Sequence, residues 1–183
     1  VGVQATDNFH YRAPWDTEHD IFDPAYSVLR LSSPDLFLDP RQLYYATYVS
    51  SRAQRAERSG QVVEHLEIAE PHGGLPPKWA SLLLEMSCPL RHAEAGASLV
   101  ALDGTRYAWG APIASACGFT AMDRLYNAQL LTEVAIAVGG AEAVPAAKAR
   151  WMEANELQAI RKFVETLLVE SDWAVAALAQ DQL

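Results

Sequence analysis

Cysteine is scarce in this 183-residue chain, which holds only Cys88 and Cys117. The two lie 29 residues apart in apolar stretches, a spacing that matches no metal-binding motif. A secreted scaffold built on disulfides is therefore not expected, and a chain of this length buries enough surface to fold without them. We predict a reducing, cytoplasmic environment in which both thiols behave as small buried hydrophobic groups.

Long hydrophobic runs are also missing. The longest uncharged run separates Arg106 from Asp123 and has sixteen residues, interrupted by Gly110, Pro112 and Gly118. A membrane-spanning helix needs about 20 predominantly apolar residues, so this run predicts a buried helix or an irregular connection. The first residues also lack the basic segment and apolar block of a signal peptide. We expect a soluble domain that is not inserted in a membrane.

Basic side chains are few as well, with 14 against 23 acidic ones and a net charge of −9. This balance disfavours nucleic-acid binding, which depends on clustered lysine and arginine. Residues 1–39 carry seven acids, two bases, three prolines and six aromatic side chains. The prolines prevent a long helix, and the aromatic content is too high for a disordered tail. We predict an extended arm over 1–39 that lies on this domain or on a partner.

Helical signals dominate the second segment, residues 40–183. Asp39, Pro40 and Gln42 form a potential N-cap and capping box, Pro89 predicts a kink, and Gly139-Gly140 predicts a left-handed cap. The third predicted helix is apolar on nearly every side, which is typical of a central helix. The predicted helices cover 40–70, 75–102, 112–138, about 142–154 (or 145–154) and 156–182. This pattern predicts an all-α bundle of long helices joined by short loops.

A carboxylate-bridged di-iron or di-manganese centre in such a bundle needs Glu-x-x-His pairs on its core helices. None occurs: the residue three before His92 is Pro89, and Asp7 and Asp16 precede histidines that lie in the arm. The sequence also lacks a nucleophile elbow, a phosphate-binding loop and a dinucleotide fingerprint. We therefore predict that this chain holds no catalytic, cofactor-binding or metal-binding residue.

Polar residues interrupt two of the apolar helices. Arg91, His92 and Glu94 lie on the second helix, and Asp123 and Arg124 on the third. Buried polar groups are usually paired, so these five predict a buried polar network. The alternative is a metal site in which His92, Glu94, Asp123 and Glu133 collect on facing helices.

Tyrosine and arginine recur along the first predicted helix. Tyr44, Tyr45 and Tyr48 span too broad an arc for one core to bury completely, so they predict either core packing or a subunit interface. The arginines at 52, 55 and 58 share one helix face. They predict a solvated or salt-bridged face.

Several separated blocks of residues resemble the β subunit of the hydroxylase component of soluble bacterial multicomponent di-iron monooxygenases, closest to the phenol hydroxylase and toluene monooxygenase type. Each block alone is weak, but their order and spacing over about 170 residues are specific. The blocks are Asn8-Phe9-His10-Tyr11-Arg12 with Trp15-Asp16; Asp39-Pro40-Arg41-Gln42 with Tyr44-Tyr45 and Tyr48; Pro89-Leu90-Arg91-His92-Ala93-Glu94 with Gly96-Ala97; Ala121-Met122-Asp123-Arg124-Leu125; and Asp172-Trp173 leading to Ala179-Gln180.

The resemblance implies a ferritin-like, ribonucleotide-reductase-like helical fold and a non-catalytic role. In this family an α subunit of related fold holds the di-iron centre, and the β subunit has lost the ligands. It also implies a small γ subunit, a second αβ unit, a coupling protein, and a reductase with FAD, a 2Fe–2S cluster and NADH. The substrates would be phenols, aromatics or small hydrocarbons, hydroxylated with O₂. The expected interface residues are Phe9, Tyr11, Arg12, Trp15, Arg41, Tyr44, Tyr45 and Tyr48.

Family β subunits continue for well over a hundred residues beyond the block near Gln180. The chain is therefore expected to be the N-terminal part of a longer subunit, or a shortened relative. The rival hypotheses are a free-standing ferritin-like metal-binding oxidoreductase and a helical binding module for a small apolar ligand.

Overall fold

The fold is helical throughout the part of the chain that the computed structural model describes, residues 14, 17–18, 23–33, 36–39, 41–69 and 72–182, and no strand occurs there. The α-helices are α1 (Tyr45–Ile68), α2 (Pro77–Leu82), α3 (Arg91–Tyr107), α4 (Ala111–Gly139), α5 (Ala143–Glu153), α6 (Gln158–Leu168) and α7 (Trp173–Gln180). Short 3-10 turns cover Pro24–Tyr26, His72–Gly74, Cys88–Leu90 and Asn155–Leu157, and one π-helical turn covers Leu83–Ser87. The predicted all-α fold class is confirmed.

Helix α4 is the centre of the bundle, as its apolar composition predicts. It packs against α1, α3 and α5. Contacts between the helices show their relative directions. Tyr48 contacts Phe119 and Arg55 contacts Asn127, so α1 and α4 are parallel. Ser98 donates to the Ala121 carbonyl, whereas the earlier residue Arg91 reaches the later Thr132, so α3 runs antiparallel to α4. Helix α4 ends at Gly139 as predicted, and Gly140 follows it with a φ of 71° and a ψ of −176°, which is not the left-handed helical conformation of the predicted cap.

Helix α1 begins five residues later than predicted, and the expected capping box at Asp39 does not form. The Asp39 carboxylate accepts from the Arg41 backbone N–H at 2.9 Å and from the Arg41 guanidinium, so it closes a turn before the helix. Thr47 caps α1 instead: its Oγ1 accepts from the Tyr44 N–H at 3.0 Å. The Asp39 carboxylate therefore binds Arg41 and does not cap α1. Pro40 lies outside the described residues.

The predicted kink at Pro89 becomes a broken helix. The π turn and the 3-10 turn separate α2 from α3, because proline has no N–H to donate to the carbonyl of Glu85 one turn earlier. The Arg150 Nε of α5 donates to that carbonyl at 2.9 Å. A side chain from another helix therefore replaces the missing backbone donor.

We expect the contribution of the Arg150 hydrogen bond to the stability of the chain to be measurable by denaturant unfolding. Arg150→Met should lower the free energy of unfolding by about 1–2 kcal/mol, because it leaves the Glu85 carbonyl without its donor. The same change in a Pro89→Ala background should cost less, since residue 89 can then donate its own N–H. Equal costs in both backgrounds would show that the Arg150 bond to Glu85 does not depend on the proline.

Two other boundaries were predicted wrongly. Helix α3 continues past Asp103-Gly104 to Tyr107, because Gly104 is a packing position and not a helix stop. A Cβ there would lie 2.8 Å from the Cys117 Sγ. The last predicted helix divides into α6 and α7, because Asp172 caps α7 by accepting from the Ala174 N–H at 3.0 Å.

The described part of the arm lies on the helices. The Val28 N–H donates to the Asp172 carboxylate at 2.6 Å, and the Tyr26 ring lies 5.1 Å from that of Tyr107. Phe37 packs on the core cluster that contains Trp109. The C-terminal part of the arm therefore packs on the helical domain of the same chain. Within the described residues no single helix has the length and apolarity to cross a membrane, although α4 and α5, bent by 118° at their junction, pass that test as a pair.

Candidate functional site: an α1–α4 face with core ion pairs

Asp123 is the hub that fastens α1 to α4. The Arg52 guanidinium donates to both of its oxygens, from Nε at 2.5 Å and from Nη2 at 2.6 Å. The Tyr48 hydroxyl donates to the same carboxylate at 2.9 Å. Burial, and next the hydrogen bond to Asp123, raise the pKa of Tyr48 to about 12, while the bond to Asp123 raises the pKa of Arg52. The predicted salt-bridged face of α1 is therefore present at Arg52.

Arg41, at the end of the arm, also lies close to Asp123. Its Nη1 lies 3.8 Å from the Asp123 carboxylate, and its Nη2 donates to the Ala116 carbonyl at 3.1 Å. Its other partner is Asp39, whose carboxyl pKa falls below the usual value: burial, the largest influence, raises it, and the bonds from Arg41 outweigh that effect. The arm therefore meets α4 where α1 does.

A second ion pair joins α3, α4 and α7. The Arg124 Nη1 donates to the Glu94 Oε1 at 3.0 Å, and both side chains are 19% exposed. The Asn127 amide donates to the other Glu94 oxygen at 3.2 Å. Arg124 also donates to the Gln180 backbone carbonyl at 3.3 Å. Asn127 was not singled out from the sequence, and Gln180 was named only as part of a family block, since neither shows its partner in any local pattern.

The five residues predicted as one polar network lie in four separate places. Asp123 pairs with Arg52, Arg124 pairs with Glu94, and Arg91 donates to Thr132 at 3.3 Å. Consecutive residues on a helix point about 100° apart, so Asp123 and Arg124 face different neighbours. The two ion pairs join different helices, and no contact among the described residues links them into one network.

His92 lies in the fourth place, where α3 meets Trp151 of α5. Its ring stacks on Trp151 with centroids 5.9 Å apart. Its Nε2 is buried and has no hydrogen-bond partner among the described residues. Burial, then the charges of Arg91 and Lys148, lower the pKa of His92. The native chain therefore favours the neutral imidazole.

This shift predicts a loss of stability in acid. The lowered pKa of His92 means that the unfolded chain binds a proton more readily than the native chain. The free energy of unfolding should therefore fall as the pH drops below about 6.5, the ordinary histidine pKa. His92→Phe, which keeps a ring against Trp151, should flatten the curve between pH 7.5 and 5.5 relative to the exposed His65→Gln control. An unchanged slope in His92→Phe would contradict the assignment.

The alternative metal site is not assembled. Asp123 and Glu94 are held by different arginines, and Glu133 is exposed on α4. Over the described ranges, no group of three or more His, Cys, Asp or Glu side chains could hold a metal ion. Cys88 is fully buried, as predicted, and burial raises its thiol pKa.

The predicted interface tyrosines separate into two kinds. Tyr44 is 77% exposed and Tyr45 is 71% exposed, whereas Tyr48 is 4% exposed and stacks on Phe119 at 4.3 Å. Tyr48 is therefore a core residue of this chain. Arg41 keeps part of its surface exposed while it binds Asp39. The other predicted interface residues, Phe9, Tyr11, Arg12 and Trp15, lie outside the described residues.

The exposed tyrosines border a largely apolar groove of about 850 Å³ between the end of the arm and the start of α4. Leu38, Leu43 and Met122 also line it. Further along α4, Leu125 is 50% exposed. We call this surface, defined by Leu38, Tyr44, Tyr45, Met122 and Leu125, the α1–α4 face. Exposed apolar surface of this kind is typical of a site where another protein binds.

Comparison with known proteins shows which family this chain resembles. Residues 15–182 match the sequence model of the methane/phenol/alkene hydroxylases. The chain is 34% identical over 181 residues to the oxygenase component DmpL of phenol 2-monooxygenase from Pseudomonas sp. (strain CF600). It is also 34% identical over 184 residues to the component MhpL of the same kind of enzyme from Acinetobacter pittii (strain PHEA-2). Each match covers 98% of this chain but only 55% and 54% of the relative, so the chain spans about half the length of the curated relatives it matches.

Solved structures agree with the sequence comparison. Phenol hydroxylase from Pseudomonas sp. OX1 superimposes with a TM-score of 0.88 at 34% identity, over 98% of this chain and 55% of that one. Toluene 4-monooxygenase superimposes with a TM-score of 0.75 at 19% identity, over 87% of this chain and 54% of that one, which shows a shared fold. The resemblance drawn from the separated sequence blocks is thereby confirmed. This chain belongs to the methane/phenol/alkene hydroxylase family.

Proposed function

We propose that the chain is a non-catalytic, structural β-type subunit of an O₂-dependent hydroxylase complex that acts on phenol, other aromatics or small hydrocarbons. Its matches to oxygenase components of phenol 2-monooxygenases support the complex. The state of its own core carboxylates supports the structural role: Asp123 and Glu94 both bind arginines. An iron site needs carboxylates free to bind the metal, so the residues that the structure describes do not fit a di-iron centre.

The proposal requires a catalytic partner. An α subunit of related fold would hold the di-iron centre, and a small γ subunit and a second αβ unit would complete the hydroxylase. A coupling protein and a reductase with FAD, a 2Fe–2S cluster and NADH would bind transiently. The whole assembly would work in the cytoplasm. On this chain, the α1–α4 face offers exposed tyrosines for such a contact, since aromatic side chains are enriched in interfaces.

Co-expression with the α subunit tests the role and the surface together. The native chain should co-elute with α in size-exclusion chromatography. The double substitution Tyr44→Ser and Tyr45→Ser should weaken that association at least tenfold and leave the free energy of unfolding nearly unchanged, because both rings are exposed. Val169→Ser is the matched control, since that side chain is 82% exposed on the α6–α7 loop.

Failure of the structural role and failure of the proposed docking surface give different results. A folded chain that never co-elutes with α would overturn the structural role. Co-elution that survives both tyrosine substitutions would keep the role and remove the α1–α4 face as its surface.

The rival function, a free-standing ferritin-like metal-binding oxidoreductase, makes a different prediction. It needs His92, Glu94, Asp123 and Glu133 at one metal, and two of these are already bound to arginine. Metal analysis of the purified chain separates the two hypotheses. Stoichiometric iron on this chain alone would favour the rival.

A further inference from the structure

Glu94 on α3 faces two side chains of α4 that lie three residues apart. One of its carboxylate oxygens accepts from the Arg124 Nη1 at 3.0 Å, and the other accepts from the Asn127 amide at 3.2 Å. Side chains at positions i and i+3 lie on the same face of a helix, so both can reach one carboxylate on the neighbouring helix. The antiparallel helices α3 and α4 therefore place one acid opposite an i, i+3 pair.

These three positions match half of a di-iron ligand set. In ferritin-like di-iron proteins, two helices each supply one Glu and two others each supply a Glu-x-x-His pair, all directed inward. Glu94 holds the position of the single Glu, and Arg124 and Asn127 hold the positions of the Glu and the His in the pair. The Asp123 hub does not match this pattern, because its two partners on α1 are four residues apart.

The guanidinium of Arg124 supplies the positive charge at this place. The Glu94 and Arg124 side chains are each 19% exposed, so both are largely removed from water. A carboxylate in such surroundings needs a cation or hydrogen-bond donors beside it. Arg124 also donates to the Gln180 backbone carbonyl at 3.3 Å, so oxygens from α3 and α7 both bind its guanidinium. The guanidinium is therefore a cation among oxygen acceptors, which is the environment that a carboxylate-bound metal ion requires.

We propose that Glu94, Arg124 and Asn127 form a metal half-site of the ferritin-like fold in which the guanidinium of Arg124 takes the place of the metal ion. The positive charge is then part of the chain, and α3 and α4 pack around it without iron. The inference goes beyond the proposed subunit role, because it assigns the lack of a metal-binding ligand set to two positions, 124 and 127. Restoring the two ligand types at these positions should therefore create a metal site.

The double substitution Arg124→Glu and Asn127→His in the full chain tests the proposal. Together with Glu94 it provides two carboxylates and one imidazole, a ligand set that suits Co²⁺. Titration with Co²⁺, followed by its visible absorption, should show one bound ion per chain with a dissociation constant of about 100 μM or lower. Co²⁺ should also raise the Tm of this variant, because it binds the folded chain and offsets the repulsion between the two carboxylates. Mg²⁺, which prefers oxygen ligands and keeps its water, is the control for charge screening and should raise it much less.

Three matched variants identify the groups. Asn127→His alone keeps Arg124 in place and should bind no Co²⁺. Glu94→Gln, added to the double substitution, should weaken Co²⁺ binding at least about tenfold, because it removes the acid of α3. Ile136→His creates a Glu-x-x-His pair with Glu133 on exposed positions of α4. It should show no Co²⁺ binding in the same range, because Ile136 lies about 13 Å along the helix from Asn127, beyond the reach of Glu94.

Three results would overturn the inference. The first is a double variant that folds but binds no Co²⁺, or that stays unfolded even when Co²⁺ is present. The second is equal binding by Asn127→His alone, which would show that Arg124 does not occupy the place of the metal ion. The third is equal binding after Glu94→Gln or by Ile136→His, which would show that the facing acid of α3 is not a ligand. The proposed structural role is tested separately, by co-elution with α.

Discussion

Replacing Asp123 with alanine is expected to lower the free energy of unfolding by about 3 kcal/mol. The substitution removes the shared acceptor of Arg52 and Tyr48, so it leaves a guanidinium and a hydroxyl partly buried without their partner. Breaking a buried ion pair by removing one member costs about 3–5 kcal/mol, and the 29% exposure of the Arg52 side chain places this case at the lower end. Urea unfolding with an unchanged denaturant slope is the measurement.

A matched control is available on α6. Arg161 and Glu165 form an ion pair at 2.7 Å on the surface, where the Glu165 side chain is 53% exposed. Glu165→Ala should therefore cost about 0.5 kcal/mol or less. Asp123→Asn, which keeps an acceptor but loses the charge, should fall between the two. Similar small losses for Asp123→Ala and Glu165→Ala would show that the Asp123 hub does not hold α1 on α4.

The second large effect is expected at Gly96, where α3 and α6 approach closely. A Cβ at this position would lie 2.4 Å from the Val164 Cγ1, far inside van der Waals contact. Gly96→Ala should therefore lower the free energy of unfolding by about 2–3 kcal/mol, because forcing extra volume into a packed core displaces its neighbours. Thermal and denaturant unfolding both measure it.

Two further variants separate the clash from other effects of alanine. Gly60→Ala on α1, where an added Cβ would meet nothing within 4 Å beyond its own helix backbone, should raise the stability by about 0.5–1 kcal/mol. The double variant Gly96→Ala with Val164→Ala should lose less than the sum of the single changes, since the second substitution makes room for the first. Full additivity would locate the cost outside the Gly96–Val164 contact.

Much of the fold is encoded locally. The apolar composition of α4 predicts its central position, because a helix that is apolar on every side is stable only when other helices surround it. Pro89 predicts a kink, since proline has no N–H for the helix, although the helix is in fact broken there. The separated blocks around Tyr48, His92 and Asp123 were enough to indicate the family.

The candidate site was less predictable. Tyr44, Tyr45 and Tyr48 are equivalent as residue types, yet only Tyr48 is turned onto Phe119 and buried. A helical pattern gives the angle between side chains but not the neighbour that each will meet. The same limit explains why the polar residues of α3 and α4 were predicted as one network.

The sequence by itself determined the all-α class, the central helix, a disturbed helix at Pro89 and the family. The first three depend on composition and on residues close together in the chain, and the family depends on the order and spacing of separated blocks. Only the tertiary structure decided that Asp123 binds Arg52 and that Gly104 lies inside a helix. It also decided that the Arg150 side chain donates a hydrogen bond to the Glu85 carbonyl. The partners in these contacts lie 13 to 71 residues apart in the chain, and no local propensity selects among the candidates. Packing selects them, since each contact forms only when two helices meet at one register and one angle.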